Sequence, residues 1–153
     1  MQPERLKDET FLEELRSYQA DLQIVVAFRM LPEGVWNMPR LGTFNLHASL
    51  LPQYRGAAPI NWAVVNGDAE TGVTTFMLQH EIDTGNIILQ ERISIADEEN
   101  VGSVHDRLMT MGAGLVTRTV DLIIDSENNS QPVPTIPQDE SLQLKAAPKI
   151  FKD

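Results

Sequence analysis

The chain has 153 residues, 42% of them hydrophobic, which is enough for one domain with a core and short for two. With 22 acidic against 12 basic residues its formal charge is −10, and it lacks the clustered Lys and Arg that a nucleic-acid backbone requires. It contains no cysteine, which removes disulfides, thiol nucleophiles and cysteine-ligated zinc.

The amino terminus is charged where a secretory signal needs an apolar core, and no apolar run approaches the roughly 18 residues of a membrane span. A soluble, cytoplasmic protein is expected. Residues 8–19 carry Phe11, Leu12, Leu15 and Tyr18 at helical spacing with acidic groups in the first turn, the pattern of an amphipathic crossover helix. The run from Leu22 to Phe28 is apolar and β-branched, which predicts a strand buried on both faces of a parallel sheet. Pro32 opens a short helix ending near Pro39, and Thr43–Ala48 is the next strand, so β-α-β winding is expected. Pro59 begins a helix that Gly67 terminates.

Two β-rich runs follow, Thr71–Gln79 and Asn86–Ile95, joined by a segment holding Asp83-Thr84-Gly85; they read as an antiparallel pair. Val101, Val104, Leu108, Met111, Leu115, Leu122 and Ile123 mark a long amphipathic helix to about Asp125. From Glu127 onward, prolines 132, 134, 137 and 148 among polar residues predict an extended tail or linker. Two parallel strands are few for a doubly wound sheet, and the order of elements predicts a domain whose first strands lie outside this sequence.

Along an extended strand Asn45 and His47 project from one face while Phe44 and Leu46 project from the other. They end a strand of an open α/β sheet, where such sheets bind ligands. An imidazole can change charge near neutral pH, and an amide beside it can donate to a developing oxyanion. The same pattern also suits a structural Asn and a capping or core histidine. Asp83 is a third candidate, although Asp-Thr-Gly is equally a turn signature, with Asp bonding local backbone and Gly85 taking a positive φ. His80 and Glu81 near His47 match no usual zinc spacing, and no metal is expected. His105 falls on the polar side of the long helix, and Arg55 reads as a partner of loop groups. No nucleotide-binding glycine motif occurs.

Taken in order, Asn45-Leu-His47-Ala-Ser-Leu-Leu-Pro52-Gln-Tyr-Arg55-Gly-Ala-Ala-Pro59-Ile-Asn-Trp62-Ala, then Gly67-Asp-Ala-Glu-Thr-Gly-Val-Thr74, then Asp83-Thr-Gly85 closely resembles the signature of the folate-dependent formyltransferases. The resemblance runs from about Leu6 to Phe151. It implies an α/β, Rossmann-like formyltransferase fold, mostly parallel with an antiparallel hairpin and incomplete at the N-terminus. Residues 1–128 would be the C-terminal portion of the catalytic domain and 129–153 a linker towards a barrel domain. It further implies that Asn45, His47 and Asp83 are catalytic. The implied donor is 10-formyltetrahydrofolate, which passes its formyl group to a primary amine without a metal.

The implied folate contacts are Arg29, Leu31, Ser49, Leu50, Leu51, Pro52, Gln79, His80, Glu81, Ile82 and Asp83. Arg29 departs from the Gly that many members carry there. The Arg-Gly-Ala-Ala-Pro-Ile-x-Trp-Ala form is most similar to the branch whose acceptor is the methionine of initiator methionyl-tRNA. Sugar-nucleotide N-formylation, formyltetrahydrofolate hydrolysis and an inactive folate-binding or interaction fragment are the alternatives. The isolated chain is expected to show little activity and to self-associate through an uncovered sheet edge.

Overall fold

The computed structural model describes residues 3–26, 30–81 and 83–151. The first helix, α1, spans Glu9–Ser17, with Glu9 in its first turn and Arg16 in its last, as the helix dipole favours. Strand β1, Gln23–Val26, runs parallel to β2, Thr43–His47, pairing Gln23 with Thr43 and Val26 with Leu46. Between them lies α2, Glu33–Trp36, entered from Pro32, so the β-α-β winding is present.

A two-residue strand, β3 (Arg55–Gly56), precedes α3 (Pro59–Val65), which starts on its proline. Strands β4 (Glu70–Met77) and β5 (Ile87–Ser94) form the antiparallel pair. The sheet order is β1-β2-β4-β5, with β4 antiparallel to β2. Three of the four strands therefore run one way, and β4 runs against them.

Helix α4, Val101–Asn128, has 28 residues, about 42 Å at roughly 1.5 Å per residue. Its start is a reciprocal cap: Ser103 N–H donates to Asn100 Oδ1 at 3.1 Å, and Asn100 N–H donates to Ser103 Oγ at 3.2 Å. Its apolar stripe covers one face of the sheet in two clusters. Val104, Leu108 and Leu115 pack with Val73 and Leu46, while Ile123 packs with Phe44 and Ile88. A Cβ on Gly112 would lie 2.8 Å from Leu46 Cδ2, so the helix approaches β2 closely at a residue with no side chain. Because Phe44 and Leu46 face α4, Asn45 and His47 are turned to the opposite face, as period-2 alternation requires. Among the described residues no helix is long and apolar enough to cross a membrane.

Two sequence expectations change. Strand β1 is not buried on both faces: Ile24 is 45% and Val26 55% exposed. Among the described residues its one strand neighbour is β2, and an apolar composition cannot supply a second layer.

The segment after α4 is extended but docked along the body. Ile136 exchanges two 2.8 Å backbone hydrogen bonds with Ile87, and β6 (Ala146–Ala147) pairs in parallel with β3. Ala147 is fully buried against Tyr54 and Ala63, and Trp62 Nε1–H donates to the Pro148 carbonyl at 2.8 Å.

Candidate active site

The C-terminal end of β2 delivers Asn45 and His47, and the β4–β5 connection delivers Asp83. His47 is buried, with Nε2 2.8 Å from the carbonyl of Tyr54. A carbonyl can only accept, so Nε2 carries a proton in either charge state of the ring. Proton exchange is thereby confined to Nδ1, which faces Asp83 Oδ2 at 3.8 Å. That separation exceeds a direct hydrogen bond, so Nδ1 is aimed at the carboxylate without being consumed by it. Asp83 Oδ2 also accepts from Gly56 N–H at 3.0 Å, which anchors the carboxylate to β3.

Asp83 itself adopts the left-handed conformation, with φ +54°. The sequence reading assigned a positive φ to Gly85 instead. Gly85 serves another purpose: a Cβ there would fall 1.7 Å from the Met77 carbonyl oxygen, so only glycine fits the turn against β4. Asp is among the non-glycine residues that enter the left-handed region most readily, and here its side chain is held by Gly56 across 27 residues.

Asn45 Oδ1 is buried without a hydrogen-bond partner among the described residues. Buried polar atoms are normally satisfied, so this amide oxygen, on the strand face it shares with His47, has capacity left to accept a hydrogen bond.

The loop after β2 is tied down by Thr74 of β4. Thr74 Oγ donates to the Ser49 carbonyl at 2.6 Å and accepts from Leu51 N–H at 3.2 Å and from Gln90 Nε2 at 2.9 Å. Gln90 Nε2 also donates to the Leu51 carbonyl at 3.1 Å, and Ser49 Oγ donates to the Gln53 carbonyl at 2.6 Å. The polar groups of Ser49 and the backbone of Leu51 are thus engaged inside the loop. Leu51 and Pro52 are buried.

Of the remaining expected folate contacts, Gln79, His80 and Glu81 line one hollow of about 440 Å³ together with Trp36, Leu78 and Thr84. Leu50 borders a different hollow, beside Tyr54 and Lys145. Leu31 is half-buried at the entry to α2, and Arg29 and Ile82 lie outside the described residues.

The sequence reading missed Trp36, whose ring meets His80 edge-on at 5.3 Å between centroids. A tryptophan in a four-residue helix behind Pro32 has no long apolar stripe to join, and that was its signal. His80 is exposed beside Glu33, and His105 is exposed beside Asp106. Among the described residues no group of three His, Cys, Asp or Glu is placed to hold a metal ion.

Below the site, Tyr54 O–H donates to Asp68 Oδ2 at 2.5 Å, and Lys145 Nζ sits 2.6 Å from Asp68 Oδ1. Burial pushes the Tyr54 phenol above its ordinary value. The Asp68 carboxylate, and then the Tyr54 hydroxyl, hold the Lys145 ammonium above its own.

Comparison with known proteins identifies the family of the chain. Residues 1–120 match the family model described as formyl transferase. The chain is 70% identical over 157 aligned residues to the methionyl-tRNA formyltransferase of Parabacteroides distasonis, covering all of this chain and 47% of that protein. It therefore spans about half the length of the curated relatives it matches.

The formyltransferase PseJ from Anoxybacillus kamchatkensis, solved with UDP-4,6-dideoxy-4-formamido-L-AltNAc and tetrahydrofolate, superposes with a TM-score of 0.74 at 23% identity over 95% of this chain and 72% of that one. Glycinamide ribonucleotide transformylase 1 from Symbiobacterium toebii gives 0.74 at 22% identity over 82% and 62%. At those identities the likeness is one of fold. The family model matches residues 1–120 of the 153, and the chain belongs to the formyl transferase family.

Proposed function

We propose that this chain provides the donor-binding and catalytic residues of a methionyl-tRNA formyltransferase. In the reading, a formyl group passes from 10-formyltetrahydrofolate to the α-amino group of methionine esterified to initiator tRNA. The observation that carries it is the approach of His47 Nδ1 to Asp83 Oδ2 at 3.8 Å, with Asn45 on the strand face that His47 shares. The 70% identity to a methionyl-tRNA formyltransferase supports the choice of acceptor.

The hollow suits a flat heterocycle. Trp36 and Leu78 offer an apolar wall, and the polar segment Gln79–Glu81 offers donors and acceptors along the edge. Attack of the amine on the formyl carbon builds negative charge on the formyl oxygen. The Asn45 amide and a protonated Nδ1 of His47 donate to that oxygen in a site screened from water. Asp83 sustains the imidazolium charge and helps transfer the amine proton to the departing donor nitrogen, directly or through a water. No covalent link to the chain is needed.

The net charge of −10 does not favour binding of the tRNA phosphates by this chain. The setting of such a reaction is the cytoplasm.

The test is made in a protein of the relatives' full length carrying this sequence. It is supplied with 10-formyltetrahydrofolate and, in separate reactions, methionyl-tRNA, an amino-sugar nucleotide, or neither. Fast formylation of methionyl-tRNA alone is expected. Preference for the amino sugar, or deformylation to water at the same rate, overturns the reading.

A further inference from the structure

We infer that Gln138, on the segment following α4, is a positioning residue for Asp83; the inference rests on the catalytic role proposed for that aspartate. The Gln138 carboxamide joins three pieces of chain. Its Nε2 donates to the Asp83 carbonyl at 2.7 Å and to the Gly85 carbonyl at 2.8 Å. Its Oε1 accepts from Arg55 Nε at 3.1 Å and from Arg55 Nη2 at 2.7 Å. Both N–H groups and both oxygen lone pairs are engaged, the full capacity of an amide.

The chemistry fixes which way the amide points. Turning it over would set its oxygen against two carbonyls and its NH2 against a guanidinium, and every contact would become repulsive. A glutamine is therefore required as a molecule with one donating and one accepting end, beyond its size.

The neighbours explain what the clasp does. Asp83 holds a left-handed backbone, which a non-glycine residue keeps only when its surroundings enforce it. Arg55 is adjacent to Gly56, whose N–H donates to the Asp83 carboxylate. The turn is thus tied to β3 twice, through the carboxylate by Gly56 and through the carbonyls by Gln138 and Arg55. Glu140, 3.1 Å from Arg55 Nη2, holds the guanidinium from the other side. Loosening the Gln138 link frees the turn to rotate, and the Oδ2 atom facing His47 Nδ1 moves with it.

The experiment uses the full-length protein with Gln138→Glu and Gln138→Met. Glutamate keeps the length and adds an ion pair with Arg55 while presenting oxygen to both carbonyls. Methionine keeps the length without either polar end. Three quantities are measured: formylation kinetics, thermal midpoint, and hydrogen exchange at the Gly56 amide by selective 15N-glycine labelling.

Gln138→Glu is expected to hold its midpoint within about 3 °C. Its kcat should fall about tenfold or more with the donor KM nearly unchanged, as small displacements of a catalytic group produce. Exchange at Gly56 should quicken about tenfold. Gln138→Met gives the same readings should the glutamate variant fail to fold. Wild-type kcat in both variants, a loss that merely tracks the thermal midpoint, or an unchanged Gly56 amide overturns the inference. If the parent protein formylates no methionyl-tRNA, the functional reading fails by itself, and Gly56 exchange still decides the role of Gln138.

Discussion

His47 is locked to the carbonyl of Tyr54, seven residues further along the chain, by a 2.8 Å contact at Nε2, leaving Nδ1 as its working nitrogen. His47→Gln places an amide NH2 near the Nε2 position and nothing at Nδ1. It is expected to fold with nearly the wild-type thermal midpoint and to lose at least about a hundredfold in turnover, the scale of a lost acid-base or oxyanion group. Retained turnover would show that the Nε2 side performs the chemistry.

In the proposed reaction Asn45 and His47 act on one transition state from one strand end, so their contributions should not multiply. Asn45→Ala and His47→Ala are each expected to cost about a hundredfold or more, with the double variant little worse than the poorer single one. Single-turnover rates on the four proteins give the interaction term. Full multiplication of the two losses would place the residues in separate steps.

Thr74 is the seat of the loop after β2. Thr74→Val keeps the shape but removes the partner of the buried Ser49 carbonyl and Leu51 N–H, while the exposed Gln90 amide keeps its bond to the Leu51 carbonyl. The expected loss of stability is on the order of 2–3 kcal/mol, read from urea unfolding, because buried groups without partners bear their full desolvation cost. A loss below about 0.5 kcal/mol would mean that water replaces the hydroxyl, as at an ordinary surface site.

Alkaline pH should loosen the segment that carries β6. Tyr54 and Lys145 both have folded-state values above their ordinary ones, the phenol through burial and the ammonium through Asp68. A group with a raised folded value contributes stability that is complete below its unfolded pKa and disappears as pH climbs through the folded one. The midpoint of thermal unfolding is therefore expected to decline above about pH 10, the unfolded range of these groups. The decline should be smaller in Tyr54→Phe. An equal decline in that variant would remove the phenol from the account.

Much of this arrangement is legible in the sequence because it rests on local rules. Pro32 and Pro59 mark helix entries, Val104, Leu108 and Leu115 fit one long stripe, and period-2 alternation alone separates His47 from Leu46. What escapes the sequence is long-range. The exposure of Ile24 and Val26 depends on which strand lies beside β1, and composition carries no record of that. Gln138 meets Asp83 across 55 residues and Arg55 across 83, from a stretch with no periodicity. Two-residue strands such as β3 and β6 are invisible to any pattern that needs several turns of repeat. Even the turn was legible only in kind, since Asp-Thr-Gly announces a reversal without saying that Asp83 takes the left-handed position and Gly85 the tight approach.

The docking of residues 138–147 also dictates when the site can exist. A chain is made from its amino end at about 5–20 residues per second, and local contacts form far faster than that. The pairing of β2 with β4 and the seating of α4 can proceed while residues 138–147 are still unmade. The turn at Asp83, by contrast, waits for Gln138, and β3 waits for Ala147. The aspartate is thus set opposite the histidine only once residues 138–147 have been made, after the framework that precedes them can already have condensed.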